Sequence, residues 1–461
     1  MEIVANAVAK LSTQSNTDSK NRESVDVSDL KRPHPYGFKR NVFAIHDMDA
    51  INNAAYWDYQ RERVYIRSGL RPRARRRRSS PTKSWSCFRP NKIVHLPIPA
   101  RCPKCRSRDF YGHGKIRRTT IDLQFTSSGV RRCVIQFRFR RYLCNNCGTA
   151  FQRRRTTKII GKYGLNLMGY SMYLNLDVGA TQQRVDASIT KMFGIPLPRG
   201  ASHAFKAVLA QYYAKAYQAL IHKLCQGPLL HVDETRISVK GREGFVWVLA
   251  NMTEVAYLYT PTREGNTVQS LLAKFKGVLV SDFYAAYDSV ECPQQKCLIH
   301  LIRDLNDLLL KHPYDLALRT VAERFSCLVR EIVQTIDRYG LKRRFLRKHR
   351  TRVERFYRSL CEADCATEVS KKIVDRFYKN RDKLFTFLDF DDVPWNNNNA
   401  EHAIKAFVVL RRTINGSTSE AGLKDYLVLL SLRETCKYRG VEFLDFIRSR
   451  SKDVTKFGIQ R

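Results

Sequence analysis

The stretch Leu229-Leu-His-Val-Asp233-Glu-Thr-Arg-Ile-Ser-Val239, followed by Lys240-Gly-Arg-Glu-Gly244, Phe245-Val-Trp-Val-Leu-Ala-Asn-Met252 and Val255-Ala-Tyr-Leu-Tyr259, decides the fold. Its three apolar runs are rich in β-branched and aromatic residues and read as strands, with Gly241-Arg-Glu-Gly244 closing the first hairpin. After them the period changes. A helix is expected over residues 267–275, a buried strand over 278–280, a helix or turn over 283–288 and a strand over 296–299. Three antiparallel strands followed by alternating helix and strand make an α/β core.

Around this core the chain is unusually basic. Its 461 residues hold 82 Lys+Arg against 43 Asp+Glu, a net charge of +39. A nucleic acid explains that excess more simply than a membrane surface or an acidic protein does. The charge is concentrated, with about 28 Lys/Arg and 3 Asp/Glu in residues 61–160, so the DNA-gripping end is expected to be N-terminal. Any single Lys or Arg outside that block reads as ordinary surface solvation. No run of 18 apolar residues occurs, and Met1-Glu-Ile-Val-Ala-Asn6 lacks a signal-peptide pattern. No membrane partner is expected. The expected setting is the cytoplasm, at the nucleoid, or the nucleus in a eukaryotic host. Thirteen cysteines in so large a chain fit a reducing compartment where some bind metal and the rest are buried thiols.

Residues 1–99 read as a weakly ordered arm ending in a basic run that contains Arg75, Arg76, Arg77 and Arg78. That run suits a phosphate backbone, a minor groove or a localisation signal. Residues 100–155 carry Cys102-Pro-Lys-Cys105 and, after 38 intervening residues, Cys144-Asn-Asn-Cys147-Gly. Two such knuckles flanking strand-like runs at 119–125 and 133–143 read as a zinc ribbon, because two residues between thiolates let one turn aim both sulfurs at a tetrahedral Zn²⁺. Cys133 reads as a buried thiol. Arg131, Arg132 and Arg140 on the hairpin are candidate DNA contacts. Residues 160–222 are helical in pattern, with Thr181 as a candidate cap and a last helix over 202–217. They fit either a helix-turn-helix-like DNA-binding region or a plain three-helix connector.

Three acids stand out: Asp233 inside the first strand, Asp282 at the end of Val278-Leu-Val-Ser-Asp282, and Glu401 just inside a helix that follows Asn396-Asn-Asn-Asn399. Converging carboxylates suit two Mg²⁺ ions and phosphodiester chemistry. Each acid alone has a plainer reading. Asp282 can be a turn former, and Glu401 can pair with Lys405 at i,i+4. Asp233 is harder to dismiss, since an unpaired carboxylate in an apolar strand is costly. Glu234 should face away from Asp233. Asp288 and Asp391 are reserves.

At His231-Val-Asp233-Glu-Thr, Val280-Ser-Asp282-Phe-Tyr-Ala-Ala-Tyr-Asp288, Cys297-Leu-Ile-His300-Leu-Ile-Arg303 and Asn398-Asn-Ala-Glu401-His-Ala-Ile-Lys405, the chain resembles DDE transposases of the insertion-sequence sixty-six type. The similarity spans about residues 226–440, including Arg411-Arg-Thr-Ile-Asn-Gly-Ser-Thr-Ser419. It implies a ribonuclease-H-like catalytic core in two parts, 226–300 and 386–440, with a helical insertion at 301–385. The zinc ribbon and helical region precede this core, and a basic tail at 441–461 follows it. It further implies that Asp233, Asp282 and Glu401 hold Mg²⁺, with Mn²⁺ able to substitute, for cleavage at transposon ends and transfer of the 3′-hydroxyl into target DNA. Cys297 and His300 stand at a Cys-x-x-His that pairs near substrate, binds metal or packs. Lys405 and Arg411 fall where the family places basic residues. The Asn run is longer than the family's usual pair. Partners implied are the transposon ends, target DNA, a second copy or more in a synaptic complex, and accessory proteins encoded by the element. The alternative is a zinc-ribbon DNA-binding protein with an inactive transposase-derived core. A third reading keeps the core as a nuclease or resolvase.

Overall fold

The computed structural model describes residues 88–152, 162–263, 266–361, 367–414 and 418–458. Arg75, Arg76, Arg77 and Arg78 lie outside the described residues.

The N-terminal sheet is built on one long hairpin. Strands β2 (Phe110–Thr126) and β3 (Gly129–Cys144) pair antiparallel with Thr126 opposite Gly129, leaving the two-residue loop Ser127–Ser128. β1 (Lys92–His95) adds parallel to β3, and β4 (Ala150–Gln152) adds antiparallel to its far end. At the near end Ile121, Leu123 and Val134 enter the largest apolar core. Buried Asp122 fastens the hairpin to the following helix, its Oδ1 accepting the Leu167 N–H at 2.7 Å and that of Leu123 at 2.9 Å.

That helix is α1 (Leu165–Leu176), followed by α2 (Gln182–Phe193) and α3 (Ala201–Leu224). Thr181 stands at the N-cap of α2 but makes no side-chain capping bond. Asp186 supplies the cap for α3 from outside it, its Oδ1 accepting from Ser202 N–H and its Oδ2 from Gly200 N–H. α3 is a core helix along its length, burying Phe205, Leu209, Tyr213, Leu220 and Leu224.

The central sheet runs β7-β6-β5-β8-β9. β5 (Leu229–Val239), β6 (Arg242–Ala250) and β7 (Val255–Thr260) form an antiparallel meander, and β8 (Val278–Ser281) and β9 (Gln294–Lys296) join parallel to β5. The first turn is tighter than the sequence suggests. Val239 pairs with Arg242, so the loop is Lys240–Gly241, and both residues have positive φ, 52° and 81°. A two-residue turn of that hand matches strand twist, which lets Arg242–Gly244 join the ladder. Between β7 and β8 lies α4 (Asn266–Leu272).

The strand expected over 296–299 is displaced. β9 ends at Lys296, and α5 (Leu298–Lys311) begins at once, with Leu298, Leu301 and Leu305 buried at helical spacing. The Leu298 N–H is taken by Trp395 O at 3.0 Å, so no strand continues there. α5 leads into α6 (Leu316–Tyr339), α7 (Arg350–Cys361) and α8 (Glu368–Lys379), which share an apolar core with Leu229, Val278 and Val280 of the sheet. The chain then returns to the sheet as α9 (Asn398–Ile414), α10 (Glu420–Tyr438) and α11 (Phe443–Ser449). Tyr257 of β7 donates to Ala403 O at 2.7 Å, and its N–H bonds Ser431 Oγ at 3.0 Å, pinning α9 and α10 across the meander. Together these elements form a mixed α/β protein.

Candidate active site

Strand alternation decides which side chains meet. On β5, Ile237 and Val239 share a core with Ala403, Phe407 and Leu410 of α9, while Leu230 and Val232 pack with Leu272, Phe275 and Leu279 on the other face. Asp233 has the parity of the first group, so it points toward α9. The parallel register pairs His231 with Val280. Asp233 lies two residues past that pair on β5, where it still pairs with Val248 of β6, and Asp282 lies two residues past it, just beyond the end of β8.

Glu401 arrives from the first turn of α9, and Asn397 holds that helix start against the sheet. Asn397 is fully buried. Its amide donates to Val232 O at 2.9 Å, its Oδ1 lies 3.1 Å from His231 Nδ1, and its backbone N–H bonds Cys297 Sγ at 3.2 Å. Since Oδ1 only accepts, the His231 ring donates from Nδ1. Burial holds that imidazole down at about 4, against the pull of the Asn397 bond. It is therefore neutral.

Among the described residues the groups whose ligand atoms lie within 4.8 Å of one another are the four cysteines and Cys297, His300 and Glu401, so Asp233, Asp282 and Glu401 are neighbours by charge without closing as a three-acid ligand set. Burial pushes the Asp233 carboxyl up to about 8, and the charges of Asp282, Glu234 and Glu401 add to the rise. Asp282 Oδ1 accepts the Tyr284 N–H at 3.0 Å, which fixes the loop after β8. Glu401 Oε1 is buried without a hydrogen-bond partner.

Competing carboxylates are otherwise engaged. Glu234, on the opposite face, pairs with Arg263 at 2.6 Å and accepts from Tyr287 Oη at 2.6 Å. Asp288 bonds Lys383 at 2.8 Å and Lys296 at 3.1 Å; burial would raise its carboxyl, but those hydrogen bonds bring it below the ordinary value. Asp391 accepts the Arg343 N–H at 2.9 Å. Lys405 is exposed one turn beyond Glu401. The ionisable side chain beside Glu401 is instead His300, whose Nδ1 lies 3.9 Å from Glu401 Oε1. Cys297 caps the start of α5, and ligand atoms of Cys297, His300 and Glu401 all lie within 4.8 Å of one another.

At the hairpin's far end Cys102, Cys105, Cys144 and Cys147 also bring their sulfurs within 4.8 Å. Cys102 and Cys147 are 3.6 Å apart and Cys105 and Cys144 3.5 Å, all four as free thiols. Zinc–sulfur bonds of about 2.3 Å set tetrahedral sulfurs about 3.8 Å apart, so the cluster can hold Zn²⁺. Cys133 stands outside the cluster, opposite Asp122 in the β2–β3 ladder.

The arginines singled out in the sequence divide. Arg140 is exposed on β3. Arg131 is exposed and reaches Gln124 Oε1 at 3.4 Å. Arg132 is drawn inward, donating to Gly194 O at 3.0 Å at the end of α2 and lying 4.6 Å from the Phe88 ring centre. Arg411 donates to Arg236 O at 2.6 Å, tying α9 to β5. Three further residues escaped the sequence reading: Asn397, His231 and the buried Lys296. The signal for His231 was a polar residue inside an apolar run; Lys296, in the all-polar strand Gln294–Lys296, carried none, and for Asn397 the four-residue repeat hid which asparagine mattered.

Asp233 and Asp282 thus come from two neighbouring interior strands of a mixed sheet in a strongly basic chain. The profile of the Transposase IS66 family matches residues 161–425, and the chain belongs to that family. Over 79 residues it is 29% identical to the uncharacterized protein y4jO of Sinorhizobium fredii (strain NBRC 101917 / NGR234), an alignment covering 17% of this chain and 25% of that protein. The chain thus spans a quarter of that relative's length. No helix among the described residues is long and apolar enough to cross a membrane.

Proposed function

We propose that this protein is a DDE transposase that cuts at transposon ends and joins the freed 3′-hydroxyl to target DNA, with Asp233, Asp282 and Glu401 as its metal ligands. The match of the Transposase IS66 family over residues 161–425 carries the reading, and the charges of Asp282 and Glu401, distant in sequence, both bearing on the buried Asp233 carboxyl support the choice of acids. Three carboxylates, one of them with an unpartnered oxygen, suit hard divalent cations. The strand order β7-β6-β5-β8-β9 supports a ribonuclease-H-like core formed by 226–300 and 386–440, with 301–385 inserted.

Bound there, Mg²⁺ would activate the attacking oxygen and stabilise the departing one. The protein's own part is positional. Sheet register sets Asp233 against Asp282, Asn397 sets the start of α9, and Glu234 stays with Arg263 on the other face. In the first step water attacks phosphorus and the P–O3′ bond breaks, leaving a 3′-hydroxyl. In the second, that hydroxyl loses its proton and attacks a target phosphodiester, releasing a target 3′-hydroxyl. No bond to the protein forms. The four-cysteine cluster is read as a structural zinc ribbon, and Arg131 and Arg140 as phosphate contacts. Synapsis of two ends calls for at least two copies.

The test is Mg²⁺-dependent cleavage of end oligonucleotides. D282N and E401Q should each lose it by at least about a thousandfold, the scale of removing a principal stabilising group. Unchanged cleavage refutes the assignment. DNA binding with no cutting by the unaltered chain would favour the inactive-core alternative.

A further inference from the structure

Two orphaned atoms point to chemistry beyond the acid triad. His300 Nδ1 and Glu401 Oε1 are both buried without a hydrogen-bond partner and face one another at 3.9 Å. Cys297 completes the group, with its ligand atom within 4.8 Å of both. Cys297 at the N-cap and His300 three residues on sit one turn apart on the same side of α5. Glu401 reaches them from α9.

We propose that Cys297 Sγ, His300 Nδ1 and a Glu401 oxygen form a mixed sulfur–nitrogen–oxygen site that takes Zn²⁺. This site shares its carboxylate with Asp233 and Asp282. Magnesium, which prefers an all-oxygen shell, has little use for a thiolate or an imidazole, whereas Zn²⁺ accepts all three donors. Bonds of about 2.0–2.3 Å would draw the ligand atoms to within 3–4 Å of one another, so the His300–Glu401 spacing already fits. Three protein ligands leave a fourth position open. The Asn397 N–H on Cys297 Sγ is a ready partner for the thiolate.

The consequence rests on the transposase reading. A Glu401 oxygen committed to Zn²⁺ is withdrawn from the other two acids, so zinc should inhibit Mg²⁺-dependent cleavage by competing for one shared ligand. This differs from the ribbon, which lies on another sheet.

Zinc bound per chain, measured by equilibrium dialysis on the full-length protein, tests the site without any need for cleavage. Wild type and D233N should each bind one more equivalent than C297S and H300Q. His300 is 28% exposed, so glutamine there is tolerated sterically, and circular dichroism confirms folding. In a parallel cleavage assay, the Zn²⁺ needed for half-inhibition should rise at least about tenfold in H300Q, the lower end of what loss of a supporting ligand costs a metal site. Equal zinc on all four proteins overturns the proposal. So does loss of the extra equivalent in D233N, which would place the ion among the triad acids. The count stands whether or not any variant cuts DNA, so failure here is separate from failure of the transposase reading.

Discussion

Replacing Asn397 by alanine should loosen the join between α9 and the sheet, and the size of the effect follows from its bonds. The side chain donates to Val232 O at 2.9 Å and accepts from His231 at 3.1 Å. Asn397 is fully buried, as is His231, and the His231 Nε2 already lacks a partner. Alanine would strand a carbonyl and a ring N–H, each worth about 1–3 kcal/mol when left unsatisfied. The expected loss is thus about 2–6 kcal/mol, read from the urea midpoint at constant slope. N397D keeps the acceptor for His231 but turns an oxygen toward Val232 O, and its charge should raise the His231 pKa above its buried value of about 4. Because Glu401 rides on the same helix start, Mn²⁺ affinity in N397A should fall as well. N397A within about 0.5 kcal/mol of wild type, with unchanged Mn²⁺ affinity, would refute the latch.

Three further outcomes follow from the same geometry. Asp233 is pushed up to about 8 from 3.8, so between those values the folded state holds a proton that the unfolded state has released, and stability falls as pH rises. D233N lacks this penalty and should gain on wild type by up to about 1.4 kcal/mol per pH unit between pH 5 and 8; a flat difference in chemical denaturation contradicts the buried-acid assignment. E234Q, altering the acid on the opposite face, should keep end cleavage within about tenfold while D233N loses it by about a thousandfold or more; equal loss in both would break the alternation argument. Chelation of the ribbon metal, or C105S, should weaken end binding in a mobility-shift assay. Circular dichroism of the main core should survive, because Cys102, Cys144, Tyr142 and Phe151 form a separate small cluster.

The legible part of this fold was the part written in short-range periodicity. Strands β5 to β8 followed from apolar runs bounded by turn residues, and the four cysteines from a spacing with few other uses. Strand parity put Asp233 and Glu234 on opposite faces, and Glu234 indeed pairs with Arg263. What escaped depended on partners distant in sequence. Lys240–Gly241 read as part of a longer loop because positive φ at a lysine has no sequence signature. The strand expected over 296–299 failed because Trp395, about a hundred residues on, takes the Leu298 N–H. The Asn run looked redundant until one member proved to be the buried tie.

These misses locate the control of the site. Asp233 and Asp282 are aligned by neighbouring strands and would stay aligned in any fold that preserved that ladder. Glu401 has no such guarantee, since its position depends on the whole helical segment between α5 and α9 returning the chain to β5. Asn397 and the Leu298–Trp395 bond tie that return point to the start of α5 and to β5, and Asn399, Ala403 and Arg411 add ties from α9 to the meander. In the proposed site Glu401 is thus the acid set by long-range packing rather than by the ladder, and a ligand that draws α5 and α9 together would act through it. That is why perturbing Asn397 should reach metal affinity although its side chain is none of the three carboxylates.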